Sequence, residues 1–300
     1  MAYKSGFVTI VGRPNVGKST LLNIILGQKV VITSDKPQTT RKRIRGVYTT
    51  EKGQIVFIDT PGVQKPQHKF HEFMMTEAKL AIPSADVILF LVDVTEKAGP
   101  GDKWIAENLL NTDATVIMVA NKVDQMKNME KRDENLETYK ELFKDKKVTT
   151  IKMSALTGRN QDDLINNIYR KLPKGPQYFP EDNVTDQNIR AISEEIIREK
   201  VLHNTRDEIP HSVAVIIDKF QELPNITNIR ATIYVEHDSQ KGIVIGDGGQ
   251  MIKTIGMLAR KEIEELTEGK VFLELFVKLK KNWRKNSNII REFGFKSENF

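Results

Sequence analysis

Gly12-Arg13-Pro14-Asn15-Val16-Gly17-Lys18-Ser19 follows the apolar run Phe7-Val8-Thr9-Ile10-Val11 and precedes Thr20 to Leu26, which reads as a helix. The octet fits the pattern GxxxxGK[ST], and its place between a buried strand and a helix matters more than the match itself. Glycines let a backbone loop wrap a triphosphate with its N–H groups pointing inward, while the helix offers its positive dipole end. Gly12, Asn15, Val16, Gly17, Lys18, Ser19 and Thr20 are therefore the expected phosphate contacts. Lys18 would pair with the β/γ-phosphates, and Ser19 would bind Mg²⁺.

Three further segments stand at strand ends in the order this chemistry needs. Asp59-Thr60-Pro61-Gly62 follows the run Gln54 to Ile58. Asp59 there would hold Mg²⁺ through water, and the Gly62 N–H would contact the γ-phosphate. Asn121-Lys122-Val123-Asp124 ends the run Thr115 to Ala120. A carboxylate at Asp124 accepts from both N1–H and the exocyclic amine of guanine, whereas adenine presents an acceptor at N1. Asp124 also suits a helix N-cap, and both uses are compatible. Ser154-Ala155-Leu156 follows the strand Val148 to Met153. Taken alone it is a helix cap, but behind the other three it is the expected loop around the guanine carbonyl.

These four segments resemble the translation-factor-related class of GTPases, over about residues 1–173. The resemblance places a switch between Gly27 and Arg45, where Pro37-Gln38-Thr39-Thr40-Arg41 offers a threonine to complete the Mg²⁺ shell. Thr40 is the first choice and Thr39 the second. Lys18, Thr40 and Gly62 are the expected catalytic groups, and Ser19, Thr40 and Asp59 the metal ligands. Ras-like enzymes carry a water-orienting glutamine after the DxxG glycine, but Val63 stands here. A valine makes no side-chain hydrogen bond, so slow intrinsic turnover is expected. Asn15 either binds K⁺ beside the phosphates, as in related GTPases with asparagine there, or braces the loop.

A chain of 300 residues with 39% apolar side chains is long enough for two cores. With no cysteine it has neither disulfides nor thiolate metal sites, in keeping with a reducing cytosol. Met1 to Gly6 runs at once into a strand, so no signal peptide is expected, and no apolar run approaches the roughly 20 residues of a membrane span. Residues 1–175 carry 28 basic and 20 acidic side chains, against 18 and 20 in residues 176–300. The positive charge of the second part is clustered, with Lys278, Lys280, Lys281, Arg284 and Lys285 inside eight residues. Such a run is either a solvated face or a nucleic-acid contact.

Lys174 to Asn183, with two prolines and one glycine, reads as part of a linker over 174–187. Ile189, Ile192, Ile196, Ile197 and Val201 then recur at helical spacing. Ser212 to Phe220, Ile229 to Glu236 and the short run Gly242 to Ile245 read as strands. Gly246-Asp247-Gly248-Gly249 would join that short strand to a helix over Met251 to Glu265. It lacks the Gly-Lys-Ser ending of a nucleotide loop and fits the GxxG loop of a KH domain, which clamps single-stranded RNA. Val244, Ile245, Ile252 and Ile255 would line the base groove. Gly246, Asp247, Gly248, Gly249 and Lys253, with Lys278, Lys280, Lys281 and Arg284, form the expected RNA-binding set. A strand over Val271 to Leu279 and a helical segment from Trp283 complete the module.

Gly12-Arg13-Pro14-Asn15, Gln38-Thr39-Thr40-Arg41, Glu195 to Lys200, Pro210-His211-Ser212-Val213 and Ile252 to Gly256 resemble the Era family over nearly the whole chain. The resemblance implies an α/β P-loop GTPase domain (residues 1–173) with a mostly parallel sheet, helices on both faces and one antiparallel edge strand. A type II KH domain of α+β class (188–300) follows the linker. It further implies GTP, GDP and Mg²⁺ as ligands and small-subunit ribosomal RNA near its 3′ end as partner. A role in small-subunit maturation, a monomeric state and a cytoplasmic location with a peripherally membrane-associated fraction complete the expectation. Two other classes are weighed against a GTPase switch: a constitutive RNA-binding scaffold and an ATP-dependent P-loop enzyme.

Overall fold

The computed structural model describes residues 2–36, 38–63, 66–144 and 146–296. The chain divides into two compact units. One comprises Met1–Val31, Thr40–Gln67 and His71–Asp186, the other Ile32–Thr39, His68–Phe70 and Gln187–Phe300.

The first unit runs β1 (Lys4–Val11), α1 (Lys18–Leu26), β2 (Ile44–Thr50), β3 (Gly53–Asp59), α2 (Lys69–Leu80), β4 (Val87–Asp93), α3 (Pro100–Leu110), β5 (Thr115–Asn121), α4 (Met129–Lys140), β6 (Thr149–Lys152) and α5 (Gln161–Lys171). Its sheet has the order β2-β3-β1-β4-β5-β6. Every pairing is parallel except that of the edge strand β2 with β3. Strands covered on both faces need apolar residues at successive positions rather than alternate ones. Accordingly, all seven residues of Val87–Asp93 are buried. One face packs Leu21, Leu22 and Ile25 of α1 and Leu164 and Ile168 of α5. The other packs Ile105 and Leu109 of α3 and Leu136 and Tyr139 of α4. With the faces closed, the carboxyl ends of β1, β3 and β5 remain as the place where loops gather, as open parallel sheets generally arrange.

The segment after α5 is bound to this unit along its length. Lys174 bridges Lys4, and Thr185 bridges Gly46. The Gln54 Oε1 accepts the N–H groups of Tyr178 (2.8 Å) and Phe179 (2.9 Å), and Tyr178 packs on Phe7.

The second unit contains α6 (Ile189–Asn204), α7 (Ile209–Ser212), β7 (Ala214–Leu223), β8 (Ile226–Val235), α8 (Asp238–Ile245), α9 (Gln250–Thr267), β9 (Val271–Leu279) and α10 (Ser287–Glu292). Its sheet, β7-β8-β9, pairs β7 and β8 antiparallel and β8 and β9 parallel. Ile196, Ile197 and Val201 of α6 meet Ile255, Ala259 and Ile263 of α9 over the inward side chains of the strands. Asn188 caps α6 by accepting the Ala191 N–H at 2.8 Å. Two buried charges of α6 act on the segment 32–39, which belongs to the same unit. Glu199 accepts the Thr33 N–H at 3.0 Å, and Arg198 donates to the Thr39 carbonyl.

One expected strand is a helix. Gly242 to Ile245 forms the last turn of α8, whose start is fixed by the Gln240 side chain accepting the N–H groups of Glu236 (2.9 Å) and His237 (3.2 Å). The β-branched run Ile243-Val244-Ile245 misleads because tertiary packing decides the matter: Val244 is buried in the core while Ile243 is exposed.

Candidate functional site

The loop after β1 is shaped by residues that need left-handed backbone. Gly17 has φ +101° and Asn15 φ +65°. A Cβ on Gly17 would also lie 2.4 Å from Asn121 Nδ2, and one on Gly12 would lie 2.5 Å from the Leu91 carbonyl. Only glycine fits either place. Lys18 opens α1 and curls back, its ammonium donating to the carbonyls of Gly12 (3.2 Å) and Arg13 (2.9 Å). Burial lowers its pKa to about 8 against the opposing pull of Asp59. Ser19 and Thr20 lie in the first turn of α1, whose N–H groups have no carbonyl one turn behind them.

Three oxygens from separate loops meet beside Lys18. Ser19 Oγ and Thr40 Oγ1 each donate to Asp59 Oδ2 at 2.9 Å and lie 2.9 Å from each other. Thr39 turns elsewhere, donating to the Lys36 carbonyl at 2.7 Å. Of the two threonines, Thr40 is the one the fold brings to Ser19 and Asp59. Asp59 is fully buried, and burial raises its pKa against Lys18, the two hydroxyls and the Thr60 N–H. Its Oδ1 is buried and has no hydrogen-bond partner among the described residues. Two hydroxyls and an under-satisfied carboxylate form an all-oxygen set of the kind Mg²⁺ uses when phosphates complete its shell. The residues present fit that ion.

The loop after β3 leans directly on the phosphate loop. A Cβ on Gly62 would stand 2.8 Å from the Pro14 backbone, and the Val63 N–H donates to the Gly12 carbonyl at 3.3 Å. Val63 itself is buried in the core cluster with Val11 and Phe90, so its side chain serves packing.

Asn121 ties three segments together: its Nδ2 donates to the Val16 carbonyl and its Oδ1 accepts the Ala155 N–H, both at 2.8 Å. Lys122, at φ +65°, pairs through Nζ with Asp93 at 2.5 Å. Asp124 lies in a single 3-10 turn, Val123–Gln125, and is exposed. It makes no hydrogen bond among the described residues. Ser154 is buried and caps the turn by accepting the Thr157 N–H at 3.1 Å, while Leu156 is 69% exposed.

In the second unit, Gly246 to Gly249 connects α8 to α9 rather than a strand to a helix. Gly246, Gly248 and Gly249 all have positive φ (77°, 53° and 79°). A Cβ on Gly246 would strike Met251 at 2.6 Å, whereas Gly248 and Gly249 face open space. Beside the loop lies a cavity of about 390 Å³ lined by Ile252, Lys253, Gly256, Met257, Arg260, Leu273 and Leu275. Its floor is apolar and its rim carries two cations. This corrects the expected lining, because Val244 and Ile255 are fully buried core residues. Met257 and Arg260 were missed, although with Lys253 they fall at helical spacing on the exposed stripe of α9. Leu273 and Leu275 reach the groove only through the fold.

The basic cluster is also more divided than its spacing suggests. Arg284 is not free for a phosphate: its Nε donates to Glu236 at 2.8 Å beside the buried Trp283. Lys280 pairs with Glu292 at 3.1 Å. Lys278 and Lys281 are exposed.

Residues 7–122 match the family model described as 50S ribosome-binding GTPase, and residues 208–284 match that of the KH domain. Over 297 residues the chain is 50% identical to the GTPase Era of Alkaliphilus metalliredigens (strain QYMF), covering 98% of this chain and 100% of that one. It is 49% identical to the GTPase Era of Carboxydothermus hydrogenoformans, with 98% and 99% covered. Among solved structures it is similar to an Aquifex aeolicus Era variant bound to GDP·AlF4⁻ (TM-score 0.93, 40% identity, covering 98% of this chain and all of that one). It is likewise similar to an Era in complex with MgGDPNP and nucleotides 1506–1542 of 16S ribosomal RNA (TM-score 0.94, 39% identity, the same coverage). With a nucleotide loop and a helix–GxxG–helix module already placed in its two units, the chain belongs to the Era family of GTPases.

Proposed function

We propose that this chain is a GTP-hydrolysing switch that binds 16S ribosomal RNA near its 3′ end and acts in assembly of the small ribosomal subunit. The meeting of Ser19, Thr40 and Asp59 beside Lys18 carries the nucleotide half of the reading. The relative that holds MgGDPNP together with a 16S segment supports the RNA half.

Ser19, Thr40 and Asp59 would hold Mg²⁺, which supplies charge neutralisation on the β- and γ-phosphate oxygens. The loop N–H groups and the Lys18 ammonium bind the same phosphates, and K⁺ beside Asn15 is proposed to add to that charge. The Gly62 N–H binds the γ-phosphate. Water attacks in line, the bond from phosphorus to the β,γ-bridging oxygen breaks, and GDP leaves with that oxygen. With Val63 packed into the core, no side chain at that position orients the water, so intrinsic turnover is slow. Asp124 accepts from guanine N1–H and the exocyclic amine, with the loop Ser154 to Leu156 beside the base.

Gly246 to Gly249 and Lys253 clamp the RNA backbone. Bases lie over Ile252, Leu273 and Leu275, with Arg260 and Lys281 supplying further positive charge. No helix among the described residues is long and apolar enough to cross a membrane. We place the chain in the cytoplasm as a monomer, with a peripherally membrane-associated fraction.

Crosslinking the chain to cellular RNA tests the RNA reading: reads should concentrate near the 3′ end of 16S RNA, and an even spread over both subunits' RNA would refute it. For the base, Asp124→Asn should cost about 10³-fold in guanine nucleotide affinity and favour xanthine nucleotides. Unchanged base preference in a calorimetric titration would remove Asp124 from the site.

A further inference from the structure

The β7-β8-β9 sheet has a second face, turned away from α6, α8 and α9, that belongs to neither site above. Inward residues of β9 such as Leu273, Leu275 and Val277 pack on the core. Strand alternation turns Phe272, Glu274, Phe276 and Lys278 the other way. Phe272 is 52% exposed and Phe276 43%. On the neighbouring strand Arg230 stands over the Phe276 ring, 5.9 Å from its centroid. A cavity of about 180 Å³ between Arg230, Lys219, Asn228 and Phe272 separates the strands' side chains.

Positive charge outweighs negative on this face. Glu274 is paired with Arg230 at 3.0 Å, and Asp218, which accepts from the Thr232 hydroxyl at 2.6 Å and keeps its charge, stands against two lysines. Lys219 and Lys278 are exposed and make no ion pair among the described residues. The apolar surface is two separate rings with charged side chains between them, unlike the contiguous apolar centre of a protein interface. Aromatic rings on a sheet with cations around them suit unstacked bases and their phosphates.

We propose that this face is a second single-stranded RNA platform, on which bases stack on Phe272 and Phe276 while Lys219 and Lys278 meet phosphates. β9 is an edge strand of the sheet. Its inward Leu273 and Leu275 line the groove and its outward phenylalanines form the platform, so one RNA strand can cross the edge from one to the other. Phe272, Phe276 and Lys219 lie on a surface separate from the groove.

The test uses the full-length chain and two labelled oligouridylates, one of about 6 nucleotides that fills a single site and one of about 20 that spans both. Phe272→Ala with Phe276→Ala should weaken the long oligonucleotide about tenfold per ring, the size of a lost base–aromatic stack, and leave the short one unchanged. Phe272→Trp with Phe276→Trp should restore the long one. Lys219→Ala should reduce the salt slope for the long oligonucleotide by about 0.7. Because both rings are exposed, thermal unfolding should match the parent. Unchanged long-oligonucleotide affinity in the double alanine variant overturns the platform, as does a change confined to self-association in sedimentation. Gly248→Asp that leaves both oligonucleotides unaffected would instead refute the groove.

Discussion

The two glycine loops proposed to bind phosphate are built in different ways. Gly12 to Ser19 is enclosed: Gly17 touches Asn121, Gly12 faces Leu91, Gly62 presses on Pro14, and the Lys18 side chain is buried over the loop. Gly246 to Gly249 is open, with space around Gly248 and Gly249 and only Gly246 packed, against Met251. An enclosed loop fixes one ligand through the side chains that surround it. An open loop offers backbone shape alone, which suits a repeating phosphodiester and leaves sequence preference to the adjoining groove.

Putting the same substitution in both loops sharpens this contrast most. Gly17→Ala combines left-handed strain with a hard contact, about 3 to 4 kcal/mol in all, and should cut nucleotide affinity near a thousandfold. Gly249→Ala meets no atom and carries only left-handed strain at φ +79°, about 1 kcal/mol, so it should change RNA affinity only a few fold, with nucleotide binding intact. Equal effects in titrations of the two variants would erase the distinction. Next in size, Gly62→Ala should push the DxxG loop off Pro14 and slow single-turnover hydrolysis about a hundredfold, as loss of one transition-state donor does. GDP affinity should be unchanged if, as proposed, that loop serves the γ-phosphate. Gly248→Asp adds repulsion without a clash and should weaken RNA binding about tenfold with GTP affinity unchanged. Smallest of all, Asp247→Lys should gain a few fold in RNA affinity and steepen the salt dependence by about 0.7. An unchanged slope would place residue 247 away from the phosphates.

The enclosed loop was legible because its parts are local. Each motif sits at the carboxyl end of a buried strand, and strand identity follows from runs such as Phe7 to Val11 and Gln54 to Ile58. Even Thr40 could be chosen before Thr39, although only the hydroxyl geometry with Ser19 and Asp59 decides it. The open loop was legible only in outline. Its glycines are a local signal, but α8 hid behind a β-branched run whose helical start depends on Gln240. Of the expected groove residues Ile252 does line the cavity, but the other wall comes from β9, which pairs through β8 and is fixed by distant contacts. Arg284 looked like a phosphate contact because its partner, Glu236, lies 48 residues away. The 174–187 stretch was read as a linker from its prolines, while its attachment to the first unit rests on Gln54, far back in the chain.

Residues 32–39 group with the RNA-binding unit, held by Arg198 and Glu199, and lead straight into Thr40 of the nucleotide site. Ordering of Thr40 by the γ-phosphate is therefore the proposed link from the enclosed loop to the open one. The most direct test is the affinity of the full-length chain for a 16S 3′-end RNA, measured with GDP and with a non-hydrolysable GTP analogue. Coupling through Thr40 makes the two affinities differ by at least about fivefold, the low end of ordinary coupling between sites. Equal affinities would contradict it and leave a GTPase and an RNA-binding module that merely share a chain.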